Sequence, residues 1–389
     1  MKKVIALLLS TCLLAAVCAG CGSGNTPAQT TAAPAQTQAP ETQAPVGTEG
    51  ATEAASKEET EAATVEETTT REPVNEAVIK VNTGAVKGEQ LYEMFVTFGE
   101  KLEELSDGAM TIDLYSSSDY RDSVALDDVL NDNAEIVYLS SASASSTVSE
   151  LAYMGFYGCY NYVNGYDDRE SFLEFFDATK DAVSDIYSDY NCHLLSYRVP
   201  GYLVIASANT EVKVPSDLSD KIMRVSGTWP GQLASAMGIP TATVKITEIA
   251  TALQRGTIDA ALSGDAQCRD LMFYEVSNNI SIFPEADQVG CVVMCKSAWD
   301  KLDAGQQACV EDAAYYAMME MLEGRAAEYE EIKALFEANS TVYEVSEEEC
   351  KEWTSYVPDV YAQIDAAVGP KGPVLKDAIL KWREANGLD

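Results

Sequence analysis

Histidine is almost missing from this 389-residue sequence and basic residues are scarce: one His and 26 Lys plus Arg stand against 62 Asp plus Glu, a formal net charge of -36. A Ser-His-Asp or histidine-metal centre would have to converge on the single imidazole, His193, which argues against both. The acidic excess repels nucleic acid and anionic lipid headgroups, so neither is expected as a partner. It gives no long-range help in attracting an anion either, so an anionic ligand must be held by local groups. Long apolar runs are also lacking. The one candidate, Val4 to Val17, is shorter than the roughly 20 residues that a membrane-spanning helix needs. Seven of the ten cysteines lie beyond residue 21, and none of these sits in a paired CxxC zinc pattern. Seven is odd, so at least one thiol stays free, and buried thiols acting as small apolar residues are the expectation. Cys291 and Cys295, in GCVVMC, share one face of a strand. No metal, cofactor or enzymatic nucleophile is indicated.

What the N-terminus does contain is an address. MKKVIALLLSTCLLAAVCAGC pairs two lysines with an apolar run and a small-residue end, the layout of an export signal. Cys18-Ala19-Gly20-Cys21 resembles the lipobox of bacterial lipoproteins, which implies cleavage before Cys21 and a lipid on its thiol. An ordinary secretory signal cut nearby is the alternative, and both put the mature chain outside the cytoplasm. Residues 22–75 have no aromatic side chain and consist almost wholly of Thr, Ala, Gln, Pro, Glu, Ser and Gly. Such a segment cannot bury enough apolar area to order itself. As a coil it reaches about 40 Å, enough for a tether and equally for an inert linker.

From residue 76 the composition changes to an alternation of strand and helix patterns. AVIKVNTG reads as a strand. EQLYEMFVTFGEKLEELSDG, with Leu91, Phe95, Phe98, Leu102 and Leu105 at helical spacing, reads as a helix stopped by glycine. MTIDLYSS, VALDDVLNDN and EIVYLSS continue as strand, helix and strand, which predicts an α/β sheet with mainly parallel strands. Ligands of such sheets lie beyond the carboxyl ends of the strands. SSASASS (Ser140 to Ser146), with Ser141 among its hydroxyls, emerges at such an end and is read as a ligand loop or as a flexible loop without that role. Farther on, KIMRVSG sets Arg224 on an otherwise apolar strand. A guanidinium there needs a carboxylate, and its planar fork matches one in two parallel bonds. A carboxylate from a small molecule makes Arg224 an anchor, and one from a nearby Asp or Glu makes it a structural ion pair.

The order KIMRVSG, SAMGIPTATVKITEIATALQRGTIDAALSG and FYEV, with VVMCKSAWDKLDAGQQACVEDAA after it, resembles the solute-binding proteins of tripartite ATP-independent periplasmic (TRAP) transporters. No single motif carries the likeness, which rests on order and spacing and extends back to Ala77. The resemblance implies an α/β, two-lobe periplasmic-binding-protein-like fold with mixed, mainly parallel sheets, crossover strands and a long helix spanning both lobes. On that reading residues 76–201 plus 290–329 form lobe I, and 202–289 plus 330–389 form lobe II. It implies a monomer that closes on one small carboxylate-bearing solute and hands it to TRAP-type membrane subunits. Arg224 matches the arginine that clamps the ligand, and Ser263 a position often held by a ligand-binding asparagine. A second ligand arginine would fall near Leu203 or Val204, and neither can serve. Arg198 in SYRVPGY is the substitute on offer, although a solvated arginine is the expectation there.

Tyr157, Tyr160, Tyr162, Tyr202 and Trp229 are candidates for stacking on or bonding to a ligand at the lobe junction, with packing as their alternative role. Asp265 is a candidate acceptor for a hydroxyl or ammonium, or a cap for the next helix. Binding proteins of ATP-driven importers share this closing architecture, and a ligand sensor without transport is a further alternative.

Overall fold

Strands and helices alternate through the body much as the apolar pattern requires. The computed structural model describes residues 73–116, 125–131, 133–155, 158–161, 168–286 and 288–388. The leader with Cys21, the linker up to residue 72, and Tyr157 and Tyr162 lie outside the described residues. The strands are β1 (Ala77–Asn82), β2 (Met110–Tyr115), β3 (Ile136–Ser140), β4 (Cys192–Arg198), β5 (Tyr202–Ser207), β6 (Met223–Arg224), β7 (Thr241–Ala242), β8 (Ala260–Gly264), β9 (Asn279–Ala286), β10 (Gly290–Cys295) and β11 (Thr341–Glu344).

They form two sheets, ordered β2-β1-β3-β10-β4 and β11-β9-β5-β8-β6-β7. Both are mixed. β1 pairs in parallel with β2 and β3, whereas β10 runs antiparallel to β3 and β4. In the second sheet β5 is antiparallel to β8 and β9, and the other pairings are parallel. The antiparallel pairings all involve β5 or β10, the strands that enter each sheet from the other one. Two short crossovers, at residues 199–201 and 288–289, join the sheets, and the chain crosses a third time from β10 to β11 through a long helix.

The helix Gln90–Leu105 buries Met94, Phe95, Phe98 and Leu102 on one stripe, and its chain turns at Gly108 in the left-handed region. The helix Ala304–Asn339 has 36 residues, about 54 Å at 1.5 Å each. It starts on a reciprocal cap in which Asp303 Oδ1 accepts from Gln306 N (2.9 Å) and Gln306 Oε1 from Asp303 N (2.8 Å). Cys309, Val310, Ala313 and Met318 belong to the core built around the first sheet, while Ile332 and Phe336 join a second core with Val204, Ala261 and Ile280. One rigid rod thus serves both lobes. The C-terminal segment departs from the expected division: the helix Gly372–Ala385 packs on Arg169–Ser188, which lies against β4 of the first sheet. Trp382 there packs against Tyr160 and edge-on against Phe175, and Phe172 meets Tyr160 edge-on, which makes Tyr160 a fully buried core residue outside the cavity wall.

Candidate functional site

A cavity of about 650 Å³ opens between the lobes. Its walls come from the first lobe (Gln90, Tyr138, Ser140, Ala142 and Arg198 at the end of β4), from the second (Arg224, Ser263, Gln267) and from the second crossover (Gln288). A shallower groove of about 570 Å³ beside Trp382 and Val374 lies away from the crossovers and carries no comparable convergence of polar groups.

Arg224 ends β6, which lies between β7 and β8, and it pairs with Ala261 of β8, so its guanidinium enters the cavity wall alongside Val244 and Leu262. Only 6% of the residue is exposed. Its guanidinium donates from Nε to Val244 O (3.2 Å) and from Nη1 to Leu262 O (3.4 Å). Among the described residues no carboxylate pairs with it and Nη2 has no acceptor. Burial alone pulls it from 12.5 down to about 10, so it remains charged at neutral pH without the partner that a buried cation ordinarily has. Of the two readings open for Arg224, the internal ion pair is therefore the one lacking a partner.

Ser263 lines the same cavity and donates to Gln267 Oε1 at 2.9 Å. The other nominated residues stand elsewhere. Ser141 is fully buried and donates to Val289 O, a main-chain tie that leaves it out of the walls. Trp229 packs half-buried against the main core and Tyr202 meets Tyr329 edge-on at 4.8 Å; neither lines the cavity. Burial, with Asp265 as a secondary influence, pushes the Tyr202 hydroxyl up to about 12.

Asp265 is wholly buried, and its Oδ1 and Oδ2 accept from Arg325 Nη2 at 3.1 and 2.9 Å. It does not line the cavity. Its Oδ1 lies under the first crossover, where a Cβ on Gly201 would fall 2.2 Å from it. Arg198 is also not solvated: it is 8% exposed, lines the cavity and donates from Nη2 to Gln90 Oε1 at 3.1 Å. His193 stacks on Trp299 at 3.9 Å and meets Glu311 at 3.3 Å, with no place in the cavity wall.

Three glutamines enter the site unannounced. Gln90 donates from Nε2 to Glu328 at 2.5 Å, and its backbone N–H donates to Asp270 at 3.1 Å, tying the start of a first-lobe helix to the long helix and to the second lobe. Gln288 Oε1 accepts from Ser140 Oγ (2.8 Å) and Ala142 N (3.1 Å). A backbone N–H can only donate, which fixes that atom as oxygen and leaves Nε2 with no acceptor among the described residues. No sequence pattern flags these residues, since each is polar and isolated. Ser140 to Ser146, expected as a loop, begins instead with the helical turn Ser141–Ala144. Gly227, at φ +83°, approaches that turn so closely that a Cβ would fall 2.4 Å from Ala142 O.

The chain matches the family described as Bacterial extracellular solute-binding protein, family 7 (DctP), over residues 81–367. No curated protein matches it. Among solved structures it is similar to a TRAP periplasmic solute-binding protein from Rhodoferax ferrireducens with bound malonate (TM-score 0.72, 16% identity, 79% of this chain and 99% of that one). It is similar also to the periplasmic ectoine-binding protein of the TeaABC TRAP transporter of Halomonas elongata (0.70, 20%, 79% and 100%). A third is a TRAP periplasmic solute-binding protein from Sulfurospirillum deleyianum with bound succinate (0.68, 19%, 78% and 98%).

Proposed function

Because the chain belongs to family 7 of the bacterial extracellular solute-binding proteins, a group of receptors and not of enzymes, we propose that it captures a small organic acid by hinge closure. The two lobes close about the crossovers at 199–201 and 288–289, and the solute is held in the cavity between them. One observation carries this reading: Arg224 is buried, charged and without a carboxylate partner among the described residues, in the wall of that cavity. A solute carboxylate satisfies Nη2 and offsets the desolvation of the guanidinium. Malonate, succinate and ectoine, the ligands of the three similar proteins, all carry a carboxylate. Ser263, Gln267 and Gln288 supply neutral hydrogen-bonding groups for the rest of the molecule.

The closed protein delivers its solute to TRAP-type integral membrane subunits, a role supported by the family and by the two-lobe likeness to TRAP periplasmic proteins. The lipobox-like Cys18-Ala19-Gly20-Cys21 supports a lipid at Cys21, with residues 22–75 as the tether. Micromolar binding corresponds to about 8 kcal/mol, and losing one buried charged partner removes about 2 to 5 kcal/mol. A thermal-shift screen with malonate, succinate, ectoine and further carboxylates tests the reading. At least one acid should raise the melting temperature of the wild type and leave Arg224→Ala unmoved. An equal rise in both proteins would remove Arg224 from the anchoring role.

A further inference from the structure

Cys192 opens β4 and Cys295 closes β10, and the antiparallel ladder sets them directly opposite one another. The surrounding hydrogen bonds show what kind of pair this is. Cys295 N donates to Glu135 O at 2.8 Å, on the side of β3, and the next residue, Lys296, donates to Asn191 O at 2.8 Å, on the side of β4. The main-chain groups of Cys295 thus face away from Cys192. The two cysteines form a non-hydrogen-bonded antiparallel pair, the closer of the two kinds, with Cα atoms about 4.5 Å apart. Disulfides bridge Cα separations of about 4.4 to 6.8 Å, so the backbone is already within range. No disulfide joins any of the seven cysteines of the body in this structure, and no other two of them face each other across a ladder among the described residues. The Cys192 thiol points to Tyr190 O (3.4 Å) and the Cys295 thiol to Ser297 Oγ (2.8 Å), so rotation about each Cα–Cβ bond is what separates them from a bond.

We infer that Cys192 and Cys295 form a cross-strand disulfide when the chain folds in an oxidising extracellular compartment. The oxidant is a small-molecule or protein disulfide. One cysteine thiolate attacks a sulfur of that disulfide and releases one external thiol. The second cysteine thiolate then displaces the other external thiol and forms the S–S bond. Two protons leave the cysteines, and two electrons reduce the external disulfide to two thiols. Timing follows from burial: the folded environment pushes the Cys192 thiol up to about 12, and each residue is only 3% exposed. Exchange therefore belongs to the folding chain, before the strands are covered. The bond closes a loop of about 100 residues containing most of the second sheet. It staples β4 to β10 at the end remote from the crossovers, which leaves lobe closure free.

The test uses the full-length chain, denatured under reducing conditions and refolded in oxidised and reduced glutathione. Remaining thiols are alkylated, and the digest is analysed by mass spectrometry. A peptide linking Cys192 to Cys295 should account for most of both residues, with the other body cysteines alkylated. Wild type refolded in dithiothreitol should melt about 5 to 10 °C below wild type refolded in the glutathione pair, whereas Cys192→Ala/Cys295→Ala should melt at the same temperature after either treatment. Full alkylation of Cys192 and Cys295 in the refolded wild type would overturn the inference, as would linked peptides spread among unrelated cysteine pairs.

Discussion

Replacing Arg224 by methionine keeps much of its packing and removes its charge, and the expected consequence for the empty protein is a gain in stability. Desolvation takes this guanidinium from 12.5 to about 10, a difference worth about 3 kcal/mol against the folded state. The sign is that of a base whose value falls on folding, so the penalty is present in full below pH 10 and fades as pH rises from there toward 12.5. Val244 O and Leu262 O lose a donor in the variant, at about 0.5 to 1 kcal/mol each. The net gain is about 1 to 2 kcal/mol, readable by urea denaturation of ligand-free protein at pH 7. With an acid present at 100 times its Kd the wild type should gain about 2.7 kcal/mol, and the variant nothing. A variant clearly less stable than the wild type when empty would refute the reasoning, because it would make Arg224 part of the scaffold. So would a variant that keeps the ligand-dependent gain.

Glu285 on β9 is 6% exposed, and burial raises its carboxyl to about 7 despite the opposing pull of Arg383 and Asn161. An acid raised on folding destabilises the protein in full above pH 7, less as pH falls, and not at all below about 4.5. Glu285→Gln should therefore be more stable than the wild type by about 2 to 3 kcal/mol at pH 8 and equal to it at pH 4, as followed by denaturation at the two pH values. Asp265→Asn removes one of the two carboxylates that hold buried Arg325, while the Glu328 pair remains, and should cost about 1.5 to 3 kcal/mol of stability. If it instead retains full stability and loses ligand, Asp265 belongs to the binding site after all. Gly227→Ala forces a side chain against Ala142 O at a left-handed φ, which costs about 1 to 2 kcal/mol for the backbone alone. The lobes should then close less fully, seen as at least tenfold weaker acid binding and a larger radius of gyration in solution scattering.

How much of this was legible depended on whether the cause was local. The stripe Phe95, Phe98, Leu102 announced a helix because its period is written in neighbouring residues, and β1, β2 and β3 followed from their short apolar runs. KIMRVSG yielded only the paired residues Met223–Arg224, since β6 is a short strand between β7 and β8. TEIATALQRG divides into the 3-10 turn Ile246–Glu248 and the helix Ile249–Gln254. Arg224 stood out because a cation on an apolar strand is an anomaly in sequence as well as in space. Asp265 could not be resolved that way, because its partner Arg325 comes from the long helix, 60 residues later. Arg198 looked solvated for a similar reason. Its cover comes from Gln90, 108 residues earlier, and from the walls of a cavity that exists only once both lobes are built. Gln288 acquires its orientation from the amide of Ala142, so its contribution is purely tertiary.

The central claim is most directly met by a crystal structure of the protein with an acid that shifts its melting temperature. The carboxylate should lie between the lobes with its oxygens within about 3 Å of the Arg224 guanidinium, and Ser263 or Gln288 should contact the remainder of the molecule. An acid bound outside the cavity, or an aspartate or glutamate of the chain itself occupying Arg224, would contradict it.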